Sequence, residues 1–311
     1  MVSKIHAFKK HLVGALKSLE LKASRKFAPK KVTKVKLVAI AKNESAYLLE
    51  WIFHHLYFGF SEIDIYYNGC TDNTEDLIPL INELPVNLIN ADNTFESSSQ
   101  TPQVDIYKAC FNKPHIHDCH ALMFLDIDEF WIPTNFNDKV VDICNCVGNF
   151  DTLSFQWRNK IERNSHFDPA ITAKIDVEAA KQIKTLYRSY LRPEYMNPHN
   201  VIDAGLNQKY EDGNTLETIN EQNSQCKIND VAKNAYILHR KDRSEFEYIA
   251  MLLRGRPVNN NAQSDSALPL KGNRQGFKQK YNTTVLSFEG ESFQYYRDYM
   301  DAKLNDATFS R

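Results

Sequence analysis

Short apolar stretches rich in β-branched residues alternate with helical periodicity from residue 34 to residue 125, and this alternation restricts the fold more than any other feature. The strand-like stretches cover residues 34–41, 63–67, 85–89 and 121–125. The stretches with helical spacing cover residues 44–58, 76–82 and 103–112, the first with Asn43 as its predicted N-cap, and residues 90–102 are predicted to form a polar loop. Strands and helices that alternate in this way form parallel strands joined by right-handed crossovers. We therefore predict an α/β protein with a mostly parallel, Rossmann-like central sheet flanked by helices.

The second half of the sequence has weaker periodicity. Residues 152–157 and 235–239 resemble strands, and residues 176–185 resemble a helix. Residues 207–230 and 259–282 are polar and irregular. No internal repeat and no obvious linker interrupts the chain, so we predict one elaborated domain over residues 34–311, preceded by a basic segment over residues 1–33.

Charge is distributed unevenly, although the whole chain carries a net charge of only −1. The first 36 residues hold eleven Lys and Arg residues and a single acid, Glu20, whereas the remaining 275 residues carry a net charge of −11. The net negative charge of these 275 residues predicts that nucleic acid is not a partner.

The cysteines and the apolar runs indicate the compartment. The six cysteines include no C-x-x-C pair and are too few to cross-link a domain of this size, so they indicate free thiols in a reducing compartment. The sequence has no uninterrupted apolar stretch of about 18 residues and no compact apolar run followed by a cleavage site. We therefore expect a cytoplasmic protein.

Three carboxylates lie within four residues, at Asp126, Asp128 and Glu129, directly after the apolar stretch that ends at Leu125. Such a cluster is unfavourable without a counter-charge, because like charges repel and burial disfavours ionisation. A divalent cation would supply that charge. Carboxylate oxygens suit Mg²⁺ or Mn²⁺, and the phosphates of a substrate can complete the coordination shell. The alternative is that the acids cap the following turn and face water.

Three segments of the sequence resemble a known family. They are LVAIAKNESAYLLEWIFHHLYFGF from residue 37, IDIYYNGCTDNT from residue 63 and LMFLDIDEF from residue 122. In this order, on successive strand ends, they resemble the nucleotide-sugar glycosyltransferases with the GT-A fold, in the family-2-like branch related to glycosyltransferase family 92. The resemblance covers about residues 35–132. It implies a nucleotide-binding half over residues 34–132 and an acceptor-binding half over residues 133–311.

The resemblance also implies roles for individual residues that follow the ends of these predicted strands. Asn43, Glu44, Asn68 and Asp72 would hold the nucleoside, since amides and carboxylates can read a uracil edge or ribose hydroxyls through directional hydrogen bonds. Asp126 and Asp128 would bind the metal and the ribose, and Glu129 would either orient them or accept a hydrogen bond from a group behind them. For residues 68–72, a turn built from ordinary turn-forming residues is the alternative.

A further block, YILHRKDRSEF from residue 236, resembles the downstream block of the same branch. It implies that His239 is a third metal ligand or a diphosphate contact, although a strand-end histidine without a ligand is equally compatible. Arg243, Arg254 and Arg256 suit bidentate contacts to phosphate. Residues 254–280 carry a net charge of +5, either as a loop that closes over the diphosphate or as a solvated loop.

The activity implied by the resemblance is metal-dependent sugar transfer, with Mn²⁺ or Mg²⁺, from a nucleotide-diphosphate sugar to a hydroxyl of a glycan or lipid-linked acceptor. UDP-sugars are the favoured donors, the displacement is expected to invert the anomeric carbon, and surface-polysaccharide synthesis is the expected setting. The candidate bases are Asp168, Glu211 and Asp212. Two alternatives stay open: a sugar nucleotidyltransferase, and a catalytically silent binding protein of the same fold.

The basic N-terminal segment has amphipathic spacing. Its apolar residues recur every three or four positions, and lysines and arginines surround them; the apolar positions are Ile5, Phe8, Leu12, Ala15, Leu16, Leu19, Ala23 and Phe27. A helix of this kind can bind an anionic membrane surface, here the inner face of the cell membrane, where a lipid-linked acceptor would lie. It can also pack against the body or a second subunit, or remain a basic tail.

Overall fold

The computed structural model describes residues 18–98, 101–113, 116, 118–161, 166–241, 243–253 and 282–309. The strands are β1 (Val35–Ala41), β2 (Glu62–Tyr67), β3 (Val86–Asn90), β4 (Ala121–Phe124), β5 (Glu129–Pro133), β6 (Thr152–Lys160), β7 (Lys174–Arg188), β8 (Gln208–Tyr210), β9 (Ala235–His239) and β10 (Thr284–Ser287). The helices are α1 (residues 18–27), α2 (Ser45–Tyr57), α3 (Ile78–Ile81), α4 (Asp92–Ser97), α5 (Pro102–Cys110), α6 (Val140–Val147), α7 (Glu245–Leu253) and α8 (Glu291–Phe309).

Within these described residues, all ten strands belong to one sheet. Its order is β3-β2-β1-β4-β7-β6-β9-β5, and β10 and β8 pair with β7 and β6. The four strands β3, β2, β1 and β4 run parallel, and antiparallel pairs begin where β7 joins β4. The prediction of an α/β fold with a mostly parallel, Rossmann-like central sheet flanked by helices is confirmed.

Alternate residues of β1 enter two different core clusters, as expected for a strand covered on both faces. Leu37 and Ala39 belong to the larger cluster, and Val38 belongs to the smaller one. The histidines of α2, His54 and His55, are completely buried in the interior. The sheet is therefore covered by apolar core on both of its faces.

The predicted helix over residues 176–185 is wrong, because this segment lies inside the 15-residue strand β7. β7 pairs with β6 along one side and with β4 and β10 along the other. Glu178, Lys181 and Gln182 are good helix formers, but differences in helix propensity are below about 1 kcal/mol per residue. Pairing with three strands outweighs that preference.

Two smaller features also differ from the sequence predictions. The polar segment after β3, predicted as a loop, contains the helix α4. The predicted helix over residues 76–82 is a 3-10 turn, Glu75–Leu77, followed by the four-residue helix α3. No helix within the described residues combines the length and the apolar character needed to cross a bilayer.

Candidate functional site

The carboxyl ends of β3, β2, β1 and β4 meet at one edge of the sheet, because these neighbouring strands run parallel. The chain leaves this edge through residues 90–92, 68–72, 42–44 and 126–129. Ligands of parallel α/β sheets bind outside this edge. The structure therefore brings the three segments predicted from the sequence together, and adds residues 90–92 to them.

Reciprocal hydrogen bonds join the ends of β1 and β2. The side-chain amide of Asn43 donates to Thr71 Oγ1 over 3.1 Å, and the backbone N–H of Thr71 donates to Asn43 Oδ1 over 2.7 Å. Asn43 has a φ of 53°, a left-handed conformation that asparagine tolerates better than most residues. Asn43 is therefore not the N-cap of α2, contrary to the prediction. It fixes the turn after β2 against the end of β1.

Asp72 supplies the acceptors at the start of α2. Its Oδ2 accepts the backbone N–H of Ser45 over 2.9 Å, and its Oδ1 accepts the backbone N–H and the hydroxyl of Thr74 over 3.2 and 2.5 Å. Burial raises the pKa of Asp72, but these hydrogen bonds outweigh burial and lower its pKa overall. Both oxygens of this predicted nucleoside contact are therefore already bonded within the protein.

Asn68 keeps an acceptor without a partner. Its backbone N–H donates to the carbonyl of Ala41 over 3.3 Å, whereas its buried Oδ1 has no hydrogen-bond partner among the described residues. The neighbouring Gly69 has a φ of 51° and donates its N–H to Asp92 Oδ1 over 2.7 Å. An unbonded buried amide oxygen costs free energy, so a ligand that donates a hydrogen bond to Asn68 would be favoured.

Glu44 pairs with Arg243, which lies 199 residues later in the chain. Its Oε2 lies 3.4 Å from both terminal nitrogens of the guanidinium, and both side chains are buried. The guanidinium also lies 3.7 Å from the centroid of the Tyr47 ring. Burial lowers the pKa of Arg243, but Glu44, Asp128 and Tyr47 outweigh burial and raise it. Arg243 therefore places a permanent positive charge beside residues 126–129, the acidic turn that follows β4.

The acidic turn has a counter-charge from within the protein. The Nζ of Lys184, in β7, lies 3.1 Å from Asp126 Oδ2 and 3.0 Å from Glu129 Oε2. Glu129 Oε2 also accepts the backbone N–H of Asp126 over 2.9 Å. Lys184 and Glu129 are fully buried, whereas 41% of the Asp126 side chain is exposed. Asp126 is therefore open to a ligand through its Oδ1 side, where the amide of Gln103 approaches to 3.4 Å.

Asp128 faces His239. The distance from Asp128 Oδ2 to His239 Nε2 is 3.7 Å, and the Nδ1 of His239 lies 3.0 Å from Asn159 Oδ1. In the neutral imidazole, Nδ1 then donates to Asn159 and Nε2 presents its lone pair towards Asp128. Two acceptors that face each other at this distance are stabilised by a cation between them.

Two atoms bound to one octahedral cation at about 2.1 Å are about 3.0 Å apart when adjacent and about 4.2 Å apart when opposite. The 3.7 Å between Asp128 Oδ2 and His239 Nε2 lies between these two values, so the two side chains can bind one ion only after a shift of about 0.5 Å. Across the part of the chain that the structure describes, no group of three or more His, Cys, Asp or Glu side chains could hold an ion. A site here would need the phosphates of a substrate to complete it.

Two of the three candidate bases lie away from this edge. Glu211 accepts the backbone N–H groups of Lys233 and Asn234 with its two carboxylate oxygens, and Asp212 pairs with Lys233 Nζ over 2.7 Å. They line a cavity of about 480 Å³ near Ala235, where β9 begins, whereas His239 ends that strand. The structure therefore does not bring Glu211 and Asp212 to the acidic turn.

The third candidate base lies closer. The carbonyl of Asp168 accepts a hydrogen bond of 2.8 Å from the guanidinium of Arg240, whose backbone N–H donates to the carbonyl of Asp128 over 2.8 Å. Asp168 is therefore joined to the acidic turn through Arg240.

Two predicted phosphate contacts, Arg254 and Arg256, lie outside the described residues, as does the basic loop over residues 254–280.

Sequence reasoning missed three residues that surround this edge. Lys184 lies in the segment wrongly predicted as a helix, and nothing in the spacing marks His199 or Trp157. The Trp157 ring centroid lies 4.1 Å from that of His239 and 5.4 Å from that of His199. The Nδ1 of His199 donates to the carbonyl of Ile183 over 2.9 Å, which leaves its Nε2 as an acceptor.

Comparisons with known proteins gave distant structural similarities. No family model and no curated protein matches the chain. HddC from Yersinia pseudotuberculosis is similar over 55% of this chain and 84% of its own, with 10% sequence identity and a TM-score of 0.32. A 4-diphosphocytidyl-2C-methyl-D-erythritol synthase from Anaerococcus prevotii DSM 20548 is similar over 51% of this chain and 71% of its own, with 9% identity and a TM-score of 0.29.

Proposed function

We propose that the protein is a GT-A-type glycosyltransferase that moves a sugar from a nucleotide-diphosphate sugar to a hydroxyl group of a glycan or lipid-linked acceptor. One observation carries this proposal. The acidic turn at Asp126 and Asp128 shares a sheet edge with the polar turns that follow β1 and β2. A nucleoside needs directional hydrogen-bonding groups and a diphosphate needs positive charge, and this edge offers both.

The donor would lie across the ends of β2, β1 and β4. Asn68 offers a buried, unbonded acceptor for the nucleobase, and Asn43 shapes the turn beside it. The exposed side of Asp126 can accept hydrogen bonds from ribose hydroxyls. Arg243 supplies positive charge on the Asp128 side, where the diphosphate would lie.

Asp128 and His239 would hold Mn²⁺ or Mg²⁺. The imidazole nitrogen favours Mn²⁺, since Mg²⁺ prefers an all-oxygen shell. When bound, the cation would neutralise charge on the departing diphosphate.

The transfer needs a base, because the acceptor hydroxyl loses its proton as its oxygen bonds to the anomeric carbon and the bond to the diphosphate breaks. Asp168 and His199 are the described groups that could take this proton. Burial and, next, the charge of Lys184 lower the pKa of His199 to about 4. Its Nε2 is therefore unprotonated at neutral pH and about as basic as a carboxylate.

The proposal is tested with purified full-length protein, Mn²⁺ and a panel of nucleotide-diphosphate sugars, with release of the nucleoside diphosphate as the readout. Slow hydrolysis of one donor, lost in Asp128→Asn, is the expected result. Pyrophosphate release from a sugar phosphate plus a nucleoside triphosphate would instead identify a nucleotidyltransferase. Inertness towards both sets, with no donor binding by calorimetry, would contradict the proposal.

A further inference from the structure

Residues 167–170 belong to the loop between β6 and β7, and they lie at the same edge of the sheet as the acidic turn. β6 runs parallel to β9, with Asn159 as the register partner of His239, so the two strands end side by side. The loop therefore leaves β6 after Lys160, next to the histidine that faces Asp128.

Ionisable side chains from the interior hold the end of this segment. The Nζ of Lys160 donates to the carbonyls of Pro169 and Ala170 over 2.9 and 2.8 Å. Glu50, in α2, accepts the backbone N–H of Ala170 with its Oε1 over 2.5 Å. These three hydrogen bonds join the segment to the end of β6 and to α2.

Two further side chains hold the start of the segment. The guanidinium of Arg240 donates to the carbonyl of Asp168 over 2.8 Å, and Glu247 Oε2 accepts the backbone N–H of Phe167 over 3.2 Å. The backbone N–H of Arg240 also donates to the carbonyl of Asp128 over 2.8 Å. Each residue of the segment therefore has a backbone group bonded to an ionisable side chain, and one of these side chains belongs to a residue that contacts the acidic turn.

The four side chains that hold the segment lie in the interior. Lys160, Arg240 and Glu247 are 3%, 2% and 2% exposed, and 15% of the Glu50 side chain is exposed. Burial and, next, the charge of Arg240 lower the pKa of Lys160 to about 7. Burial of such groups is unfavourable unless they are hydrogen-bonded, and here they are bonded to the backbone of one segment. This arrangement fixes the path of the segment in space.

The outer side of the segment is open. Phe167 is 57% exposed, and its ring stacks on that of Tyr47 with the centroids 6.1 Å apart. Asp168 is partly exposed, and its carboxylate forms no hydrogen bond within the described residues. A fixed backbone thus presents a carboxylate that is available to a substrate.

We infer that Lys160 and Glu50 are positioning residues, which hold residues 167–170 so that the carboxylate of Asp168 takes the proton of the acceptor hydroxyl. This inference rests on the proposed function for the reaction. The acceptor oxygen bonds to the anomeric carbon as its proton moves to Asp168, and the electron pair of the broken bond leaves with the diphosphate. Fixing the loop matters, because a displacement of about 1 Å can cost about 100-fold in rate.

The first test is hydrogen exchange measured by mass spectrometry, which needs no sugar nucleotide. In the unmodified protein, the amides of Phe167 and Ala170 should exchange at least about 100-fold more slowly than in a free peptide. Lys160→Met combined with Glu50→Gln removes one basic and one acidic side chain, and exchange over residues 166–173 should become at least about tenfold faster. Exchange at the free-peptide rate in the unmodified protein, or unchanged exchange in the double variant, would overturn the inference.

The second test measures hydrolysis of the active donor, with water as the acceptor. Asp168→Asn should lower kcat about 100-fold and leave the donor KM within about twofold, and the double variant of Lys160 and Glu50 should lower kcat about tenfold. Adding the double variant to Asp168→Asn should cause no further loss, because the two residues act through Asp168. A further tenfold loss, or full activity of Asp168→Asn, would overturn the inference.

The chain offers a matched control in Lys36, a buried lysine whose Nζ lies 2.7 Å from Glu62 and 2.9 Å from Asp64. It lies at the amino end of β1, at the opposite edge of the sheet. Lys36→Met combined with Glu62→Gln should change neither the exchange of residues 166–173 nor kcat, and changes equal to those of the Lys160 variant would overturn the inference.

The two tests separate this inference from the proposed function. If the exchange results agree with expectation while every donor is inert, the proposed function fails and the positioning of residues 167–170 by Lys160 and Glu50 stands. If a donor is hydrolysed while the double variant changes neither exchange nor kcat, the inference fails and the proposed function stands.

Discussion

Glu44, which directly precedes α2, forms a buried ion pair with Arg243, which lies two residues before α7. The carboxylate lies 3.4 Å from the guanidinium, and 7% and 5% of the two side chains are exposed. Arg243 itself has a φ of 53°, and Ser244 and Glu247 then exchange hydrogen bonds as the capping box of α7. The pair therefore holds the start of α7 over the edge where the donor is proposed to bind.

The first prediction concerns this pair. Glu44→Gln removes the nearest counter-charge of the buried guanidinium, so the free energy of unfolding should fall by about 3 kcal/mol in urea titrations. Glu62→Gln removes one half-exposed partner of Lys36 and should cost less than about 1 kcal/mol. Equal effects of the two substitutions would contradict the structural role of Glu44, which the sequence indicated only as a nucleoside contact.

The second prediction concerns Asp72. Asp72→Ala removes the acceptor for the first backbone N–H of α2 and should lower the free energy of unfolding by about 1 kcal/mol. Asp72→Asn keeps one acceptor oxygen and should cost less. Since the folded-state pKa of Asp72 is lowered, its contribution is present at neutral pH and is lost as the pH falls below about 4. Urea titrations at pH 7 and pH 3 measure both effects.

The third prediction separates the two aspartates of the acidic turn by their kinetics. Asp128→Asn should reduce sugar transfer by about 100-fold or more at saturating donor, because the charge on the leaving diphosphate loses its stabilisation. Asp126→Asn should mainly raise the KM for the donor, because its proposed contact to a ribose hydroxyl is made equally in the ground state. The exposed Asp76 serves as a control, and Asp76→Asn should have full activity. Full activity of Asp128→Asn would remove the metal assignment.

The first half of the fold could be predicted from the sequence because β1 and β4 are apolar runs that are buried on both faces, and apolar residues also predominate in β2 between them and the edge strand β3. Lys184 could not be found in this way. It lies in a segment whose Glu, Lys and Gln residues favour a helix, and only pairing with β4, β6 and β10 makes that segment a strand. The sequence showed that Asp126, Asp128 and Glu129 need a counter-charge, but distance along the chain carries no information on which lysine supplies it.

The fourth prediction concerns pH and the core histidine His54. Burial lowers the pKa of His54 to about 3, although the carbonyl of Trp131 at 2.9 Å acts in the opposite direction. In the unfolded chain the imidazole of His54 takes up a proton near pH 6.5, whereas in the folded chain it stays neutral. The free energy of unfolding therefore falls as the pH decreases from about 6.5 towards 3. Between pH 7 and pH 5, His54 should account for a loss of about 2 kcal/mol. In urea titrations, His54→Gln should lose that much less over the same interval, and an unchanged loss would contradict the assignment.

The last prediction concerns the basic N-terminal segment, of which the structure describes residues from 18 onwards. Arg25 donates through Nε to Asp151 Oδ1 over 2.9 Å, contacts Asp151 Oδ2 with its terminal nitrogen, and donates to the carbonyl of Gly205 over 2.8 Å. Leu21 packs against the smaller core cluster, whereas Leu19 and Phe27 are 62% and 82% exposed. α1 therefore contacts the body through Arg25 and Leu21, and part of its apolar stripe remains uncovered.

Two charge-matched variants measure the strength of this contact. Arg25→Ala removes the contact of α1 with the buried Asp151, which keeps its hydrogen bonds from Tyr190 and Asn207. α1 should therefore detach more often and chymotrypsin should cleave next to Phe27 about tenfold faster, since hydrogen bonds to charged groups contribute roughly 1.5–3 kcal/mol. Lys22→Ala removes the same charge from an exposed position of the same helix and should not change the cleavage rate.

The same two variants, Arg25→Ala and Lys22→Ala, also test membrane binding in flotation with anionic liposomes. Stronger flotation of Arg25→Ala than of Lys22→Ala would show that docking on the body competes with the membrane, and equal flotation would show that it does not.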